Sequence, residues 1–165
     1  MSTDKLIATD YAANFQFPLE TSGAIIEGKL EASYDQDSET LNIRWKGEVR
    51  SEEIKRGYAS IMQMVRHYKP RKWVLNLQER DGVKRDDQRW VFKYVFPRAL
   101  RAVNDDIFLA VILPVHAYHS VLTDIDGDEL IVEDKFLVLQ HFLYPEEGKR
   151  WLESMVEMKE AGAEV

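Results

Sequence analysis

The polar side chains best suited to chemistry gather behind three short apolar runs. Behind Trp73–Leu77 come Gln78, Arg80, Asp86 and Asp87, with Asn76 inside the run. Behind Ile107–Leu113 come His116 and His119. Behind Phe136–Leu143 comes Tyr144, with His141 inside the run. If these runs are parallel strands, their carboxyl ends share one sheet edge, the edge on which open α/β folds bind ligands. Arginine and aspartate there could hold a charged group, and imidazoles could move a proton or ligate a metal. His116 and His119 stand i, i+3 on a short predicted helix over Val115–Thr123, near Asp124, Asp126 and Asp128, but without the His-Glu-x-x-His register of a zinc helix. The acids from Asp124 to Glu129 do not make a calcium loop, which needs Gly at its sixth position and Glu at its twelfth. Glu129 and Lys135 stand there instead. Ser120 lies beside His119, and neighbours on a helix point apart, so no triad forms. No Ser, Thr or Cys occurs between Ile61 and His119, and no glycine-rich phosphate cradle is present. We therefore assign no catalytic residue, cofactor or metal site. The candidate partner or ligand site is Asn76, Arg80, Asp86, Asp87, Trp90, His116 and His119.

The elements that must position these residues follow from hydrophobic spacing. Leu30, Ala32 and Tyr34 alternate with polar residues, as do Leu41, Ile43 and Trp45. Period two on both sides of Gln36-Asp37-Ser38 predicts a hairpin with one wet face. Ser51 is placed to cap a helix whose first turn carries Glu52 and Glu53 and whose apolar stripe is Ile54, Tyr58, Ile61, Met62, Val65 and Tyr68. Pro70 ends it. After the strand at Trp73–Leu77, a helix from Asp86 to about Val103 must kink or break near Tyr94–Phe96, because Pro97 lacks an N–H and clashes with the carbonyl of residue 93. Ile107–Leu113 has no alternation, the mark of a strand covered on both faces. Pro145-Glu146-Glu147 opens the last helix. Trp45, Trp73 and Trp151 fall on core faces, while Trp90 caps the core or lines a pocket. The predicted order is β-β-α-β-α-β-α-β-α: one α/β domain at 29–160, a mixed β-sheet of N-terminal hairpin plus parallel βαβ units flanked by helices. Residues 1–28 read as an extension docking on the domain or on a second subunit, and 161–165 as a tail.

Composition limits the function classes. A chain of 165 residues with 45% apolar and 31% charged residues suits one soluble globular domain. A net charge of −7 repels nucleic acid and anionic membranes at long range. Without cysteine there is no disulfide, thiolate site or thiol nucleophile. The N-terminus lacks the apolar core of a secretory signal, and Ile107–Leu113 is too short to span a bilayer, so a cytoplasmic location is expected.

The segments Thr40–Gly47, Ser51–Ile54, Lys72–Leu77, Asp86–Trp90 and Phe96–Leu100 together resemble the SpoIIAA-like, STAS-type (anti-sigma-factor-antagonist-like) proteins of bacteria. The likeness spans roughly Leu30 to Met158. It implies a small mixed sheet flanked by helices, and a non-enzymatic module that binds a protein partner or a small ligand. Regulatory members of that group carry a phosphorylatable Ser or Thr where this chain has Lys84-Arg85-Asp86-Asp87, with no hydroxyl. The resulting expectation is a non-catalytic regulatory or protein-interaction module, self-associating as a homodimer through the hairpin and the N-terminal extension. The alternative is a carrier of a small apolar or lipid-like ligand, by analogy with Sec14-type domains. That requires a cavity between the sheet and the helix bearing Trp90 to Phe96.

Overall fold

The computed structural model describes residues 21–117 and 129–163. A mixed seven-stranded sheet in the order β1-β2-β3-β4-β5-β7-β6 forms its middle layer. The strands are β1 Thr21–Ile26, β2 Leu30–Asp35, β3 Thr40–Gly47, β4 Lys72–Arg80, β5 Ile107–Ile112, β6 Glu129–Val132 and β7 Lys135–Phe142. Strands β3, β4, β5 and β7 are parallel, and β1, β2 and β6 pair antiparallel at the two flanks. Helix α1 (Ser51–Tyr68) joins β3 to β4. Helix α2 (Arg85–Trp90), a π-helical turn (Val91–Val95) and helix α3 (Phe96–Val103) join β4 to β5, and α4 (Pro145–Ala163) follows β7.

Alternation assigns each strand's faces. Leu30, Ala32, Leu41, Ile43 and Trp45 are buried on one side of the hairpin, and its turn is tied by Asp35, which accepts from the Asp37 N–H at 3.0 Å and the Ser38 hydroxyl at 2.9 Å. All six residues of β5 are buried, as its unbroken apolar run requires of a strand covered on both faces. The larger core lies under α1 and α2–α3 and includes Trp45, Trp73, Leu75, Leu77, Leu109, Val111, Leu137 and Leu139. The smaller one lies under α4, where Val74, Phe108, Ala110 and Ile112 meet Leu152, Trp151 and Met155.

The structure corrects the sequence reading in several places. Two strands escaped it. β1 falls inside the supposed extension: Thr-Ser-Gly-Ala-Ile-Ile carries no period, and the segment becomes a strand by pairing with β2. The hairpin of β2 and β3 is therefore internal to the sheet rather than an open edge. β6 has only four residues, and its turn to β7 is Glu133-Asp134, with Glu133 at φ 60°, instead of the usual glycine or asparagine. Ser51 is not the N-cap of α1. Arg50 holds that place, and its backbone N–H donates to Glu53 Oε1 at 3.0 Å. Lys69 closes the helix in the left-handed region (φ 50°) just before Pro70. The Pro97 break takes the form of the π turn. The Phe96 N–H bonds back to the Val91 carbonyl, a five-residue step, so the wider turn precedes the proline and the chain continues as helix. α4 runs through residues read as a tail, ending at Ala163.

One close approach fixes the spacing of α1 and the sheet. A Cβ on Gly57 would lie 2.4 Å from Trp45 Cη2 and 2.7 Å from Leu30 Cδ2. Only glycine lets the helix lie this close to the indole. Among the described residues, no helix is long and apolar enough to cross a membrane.

Candidate functional site: a cavity at the carboxyl edge of the parallel strands

Beneath the π turn, at the carboxyl ends of β3, β4, β5 and β7, the α1/α2–α3 layer stands off the sheet and leaves a cavity of about 290 Å³. Its floor is Leu75, Leu77, Val111, Leu113 and Leu139. Trp45, Ile54 and Tyr58 close one side, and Val91, Phe92 and Phe96 form the roof. Strand alternation supplies the floor: 75 and 77 on β4, 111 on β5 and 139 and 141 on β7 all face the same side of the sheet. The volume lies at the lower end of the range for small-molecule pockets, about 300–1,000 Å³. At about 30 Å³ per water-sized group, it holds roughly ten non-hydrogen atoms.

Three polar residues penetrate this apolar space. Arg80 is 5% exposed, Asp87 7% and His141 8%. Arg80 reaches it through an irregularity in β4. Arg44 pairs with Asn76, but Lys46 pairs with Glu79 and Gly47 with Arg80, so β4 carries one extra residue opposite Trp45. Strict alternation from Leu75 and Leu77 would turn residue 79 inward. The bulge reverses the parity. Glu79 instead faces out and meets Arg44 at 3.1 Å, and Arg80 turns into the cavity. His141 extends the inward series Leu137, Leu139 on β7, a polar residue on an otherwise apolar face.

Asp87 is held from one side only. Ser51 Oγ donates to its Oδ1 at 2.7 Å, while Oδ2 is buried without a hydrogen-bond partner among the described residues. Arg80 Nε is likewise buried without a partner, and its guanidinium forms no ion pair among the described residues. Burial lowers the Arg80 pKa, while Tyr58, Asp87 and Asp81 oppose the shift. Burial also pushes the Tyr58 hydroxyl up to about 12, against the pull of the Trp45 indole and the Arg80 guanidinium. The cavity thus presents a guanidinium, a phenol held neutral at neutral pH, and an Asp87 side chain with one oxygen left unbonded among the described residues. The exposed residues Arg85, Arg89 and Lys93 also border it, so its lining holds four cationic residues and one acidic one, although the chain as a whole carries −7.

Of the described candidate site residues, Arg80 and Asp87 line the cavity, while Asn76, Asp86, Trp90 and His116 do not. Asn76 lies on the opposite sheet face, where its Oδ1 accepts from the Gln78 N–H at 2.9 Å. Asp86 is exposed on the outer side of α2. Trp90 is half-buried against the core, packs at a tilt on Tyr94 and lies under Lys55 Nζ at 5.7 Å, outside the cavity wall. His116 is exposed in a helical turn opening at 115–117 and does not line the cavity. His119, Ser120 and the acids 124–128 lie outside the described residues. Among the described residues, no group of three His, Asp or Glu side chains is placed to hold a metal. Sequence reasoning missed Ser51 as the partner of Asp87, and Tyr58 as a wall residue. It placed His141 at the edge without reading its inward face, which the Leu137-Leu139-His141 alternation could have given. Comparison of the chain with protein-family models, curated proteins and solved structures returns no match.

Proposed function

We propose that this protein binds a small, mainly apolar molecule of roughly ten non-hydrogen atoms in the cavity under the π turn. The observation that carries this reading is the cavity itself. It lies between the sheet and the helix bearing Trp90 to Phe96, at the carboxyl edge where parallel sheets take their ligands. Its aliphatic and aromatic walls surround a few buried polar groups, the usual composition of a small-molecule site. A π-helical segment in the roof fits the same reading, since such turns recur at functional sites. The resemblance to STAS-type proteins leads instead toward a protein-interaction module that lacks the phosphorylatable hydroxyl of the regulatory members. Against a partner-facing role stands Asp87, within the Lys84–Asp87 segment where regulatory members carry their switch residue. It is buried and bonded to Ser51 rather than displayed to a partner. We read the protein as a binding module, because the walls of the cavity are mainly aliphatic and aromatic.

The test is calorimetric titration with n-octanol, a neutral amphiphile of suitable size. Saturable one-to-one binding is expected. It should be abolished by Leu139→Trp, which fills the floor, while cooperative melting of the variant reports that it folds. No saturable binding of octanol, nor of its charged eight-carbon analogues, to the wild-type protein would refute the proposal.

A further inference from the structure

We propose that the ligand of this cavity is an amphipathic anion of the carboxylate class, its apolar part on the leucine floor and its head group on Arg80. The inference rests on the binding reading above and specifies the chemistry of the ligand. Arg80 is a buried guanidinium whose Nε donor meets no acceptor among the described residues. Leaving a charged donor dry and unpaired is costly, so such groups in native proteins point to a missing partner. The bulge in β4 aims this group into the cavity in place of Glu79, which shows that the fold sets an arginine here at the expense of regular pairing. The planar fork of a guanidinium matches a carboxylate in two parallel hydrogen bonds, a fit that a compact ammonium lacks.

Two further observations fix the sign of the ligand's charge. Arg85, Arg89 and Lys93 join Arg80 in the lining, so a cationic site is built into a chain of net charge −7. Arg80 Nε and Asp87 Oδ2 are each buried without a partner, but Asp87 already accepts from Ser51 through its other oxygen, whereas no side-chain hydrogen bond or ion pair of Arg80 is present among the described residues. An anion therefore relieves the less satisfied of the two groups.

The experiment compares octanoate, n-octanol and octylamine, equal in chain and different in head charge, by titration into the same protein at neutral pH. Octanoate should bind at least about tenfold more tightly than octanol, the discrimination of a charge-assisted pair, and octylamine most weakly. In Arg80→Met the ratio of octanoate to octanol affinity should fall by about tenfold, and Arg80→Lys should recover only part of it. Equal binding of octanoate and octanol, or tighter binding of octylamine, would overturn the head-group assignment and leave the cavity reading standing. Failure of all three ligands to bind would refute both. If Arg80→Met does not fold, the order of the three ligands on the wild-type protein decides the matter.

Discussion

Replacing Gly57 by alanine puts a methyl group into space already filled by two buried side chains. The new Cβ would stand 2.4 Å and 2.9 Å from two atoms of the Trp45 ring and 2.7 Å from Leu30 Cδ2, all inside van der Waals contact. Trp45 is 1% exposed and Leu30 fully buried, so neither can swing to solvent. In the helix interior, alanine itself is favoured over glycine by about 0.8–1 kcal/mol. Overpacking costs about 1–3 kcal/mol, and here the upper part of that range applies because both clashing groups are enclosed. The balance is a loss of about 1–2 kcal/mol, which lowers Tm by about 2–8 °C in a chain of this length. The direction of relief matters as much as its size. Trp45 touches the Gly57 position on one side and lines the cavity on another, and the cavity is the open space into which the indole is expected to yield, reducing its volume. Scanning calorimetry would give the Tm, and octanol titration should show weakened binding in the same variant. Gly162→Ala serves as control, because nothing lies within 4 Å of that Cβ and a slight stabilisation is expected. A Gly57→Ala protein as stable as wild type, with octanol affinity intact, would refute the reasoning about helix, indole and cavity together.

Ser51→Ala removes the donor to a buried carboxylate and should cost about 1.5–3 kcal/mol, read as a lower urea midpoint at unchanged slope. No shift would mean that the 2.7 Å bond to Asp87 contributes nothing to stability. Glu53 should make stability pH-dependent. Lys29 at 2.8 Å and the Arg50 N–H draw its pKa from 4.5 down to about 2. A carboxyl depressed on folding stabilises above its unfolded value and loses that contribution as pH falls through the folded one. The Tm gap between wild type and Glu53→Gln should therefore be full at pH 7, narrow below about pH 4.5 and close near pH 2. A gap constant across that window would contradict the assignment.

Wherever local pattern decides structure, the sequence was readable. The hairpin, the stripe of α1, the doubly covered β5 and the proline-opened α4 all follow from spacing and caps. What local pattern does not encode was lost. β1 becomes a strand only because β2 offers it an edge, and β6 is too short to show a period. The same division runs through the site. Arg80 and Asp87 could be named from their place behind a strand. That Arg80 turns inward while Glu79 turns out depends on a bulge, and a one-residue change of register is invisible in a polar stretch such as Gln78-Glu79-Arg80. Asn76 is a different case: it precedes the bulge, and its alternation with Leu75 and Leu77 already sets it on the opposite face. Trp90 illustrates a different limit. Trp90 is the last residue of α2, immediately before the π turn, and whether such an aromatic lines the cavity or packs beside it depends on helix rotation, which spacing alone does not give.

The central claim is that the space between the sheet and the π turn receives a ligand. Methyl-resolved NMR during titration with n-octanol tests it most directly, because the two faces of the sheet carry separate reporters. The methyls of Leu75, Leu77, Val111 and Leu139 should shift together and saturate, while those of Val74, Ile112 and Leu152 under α4 stay in place. Shifts confined to the α4 face, or none at saturating octanol, would contradict the account.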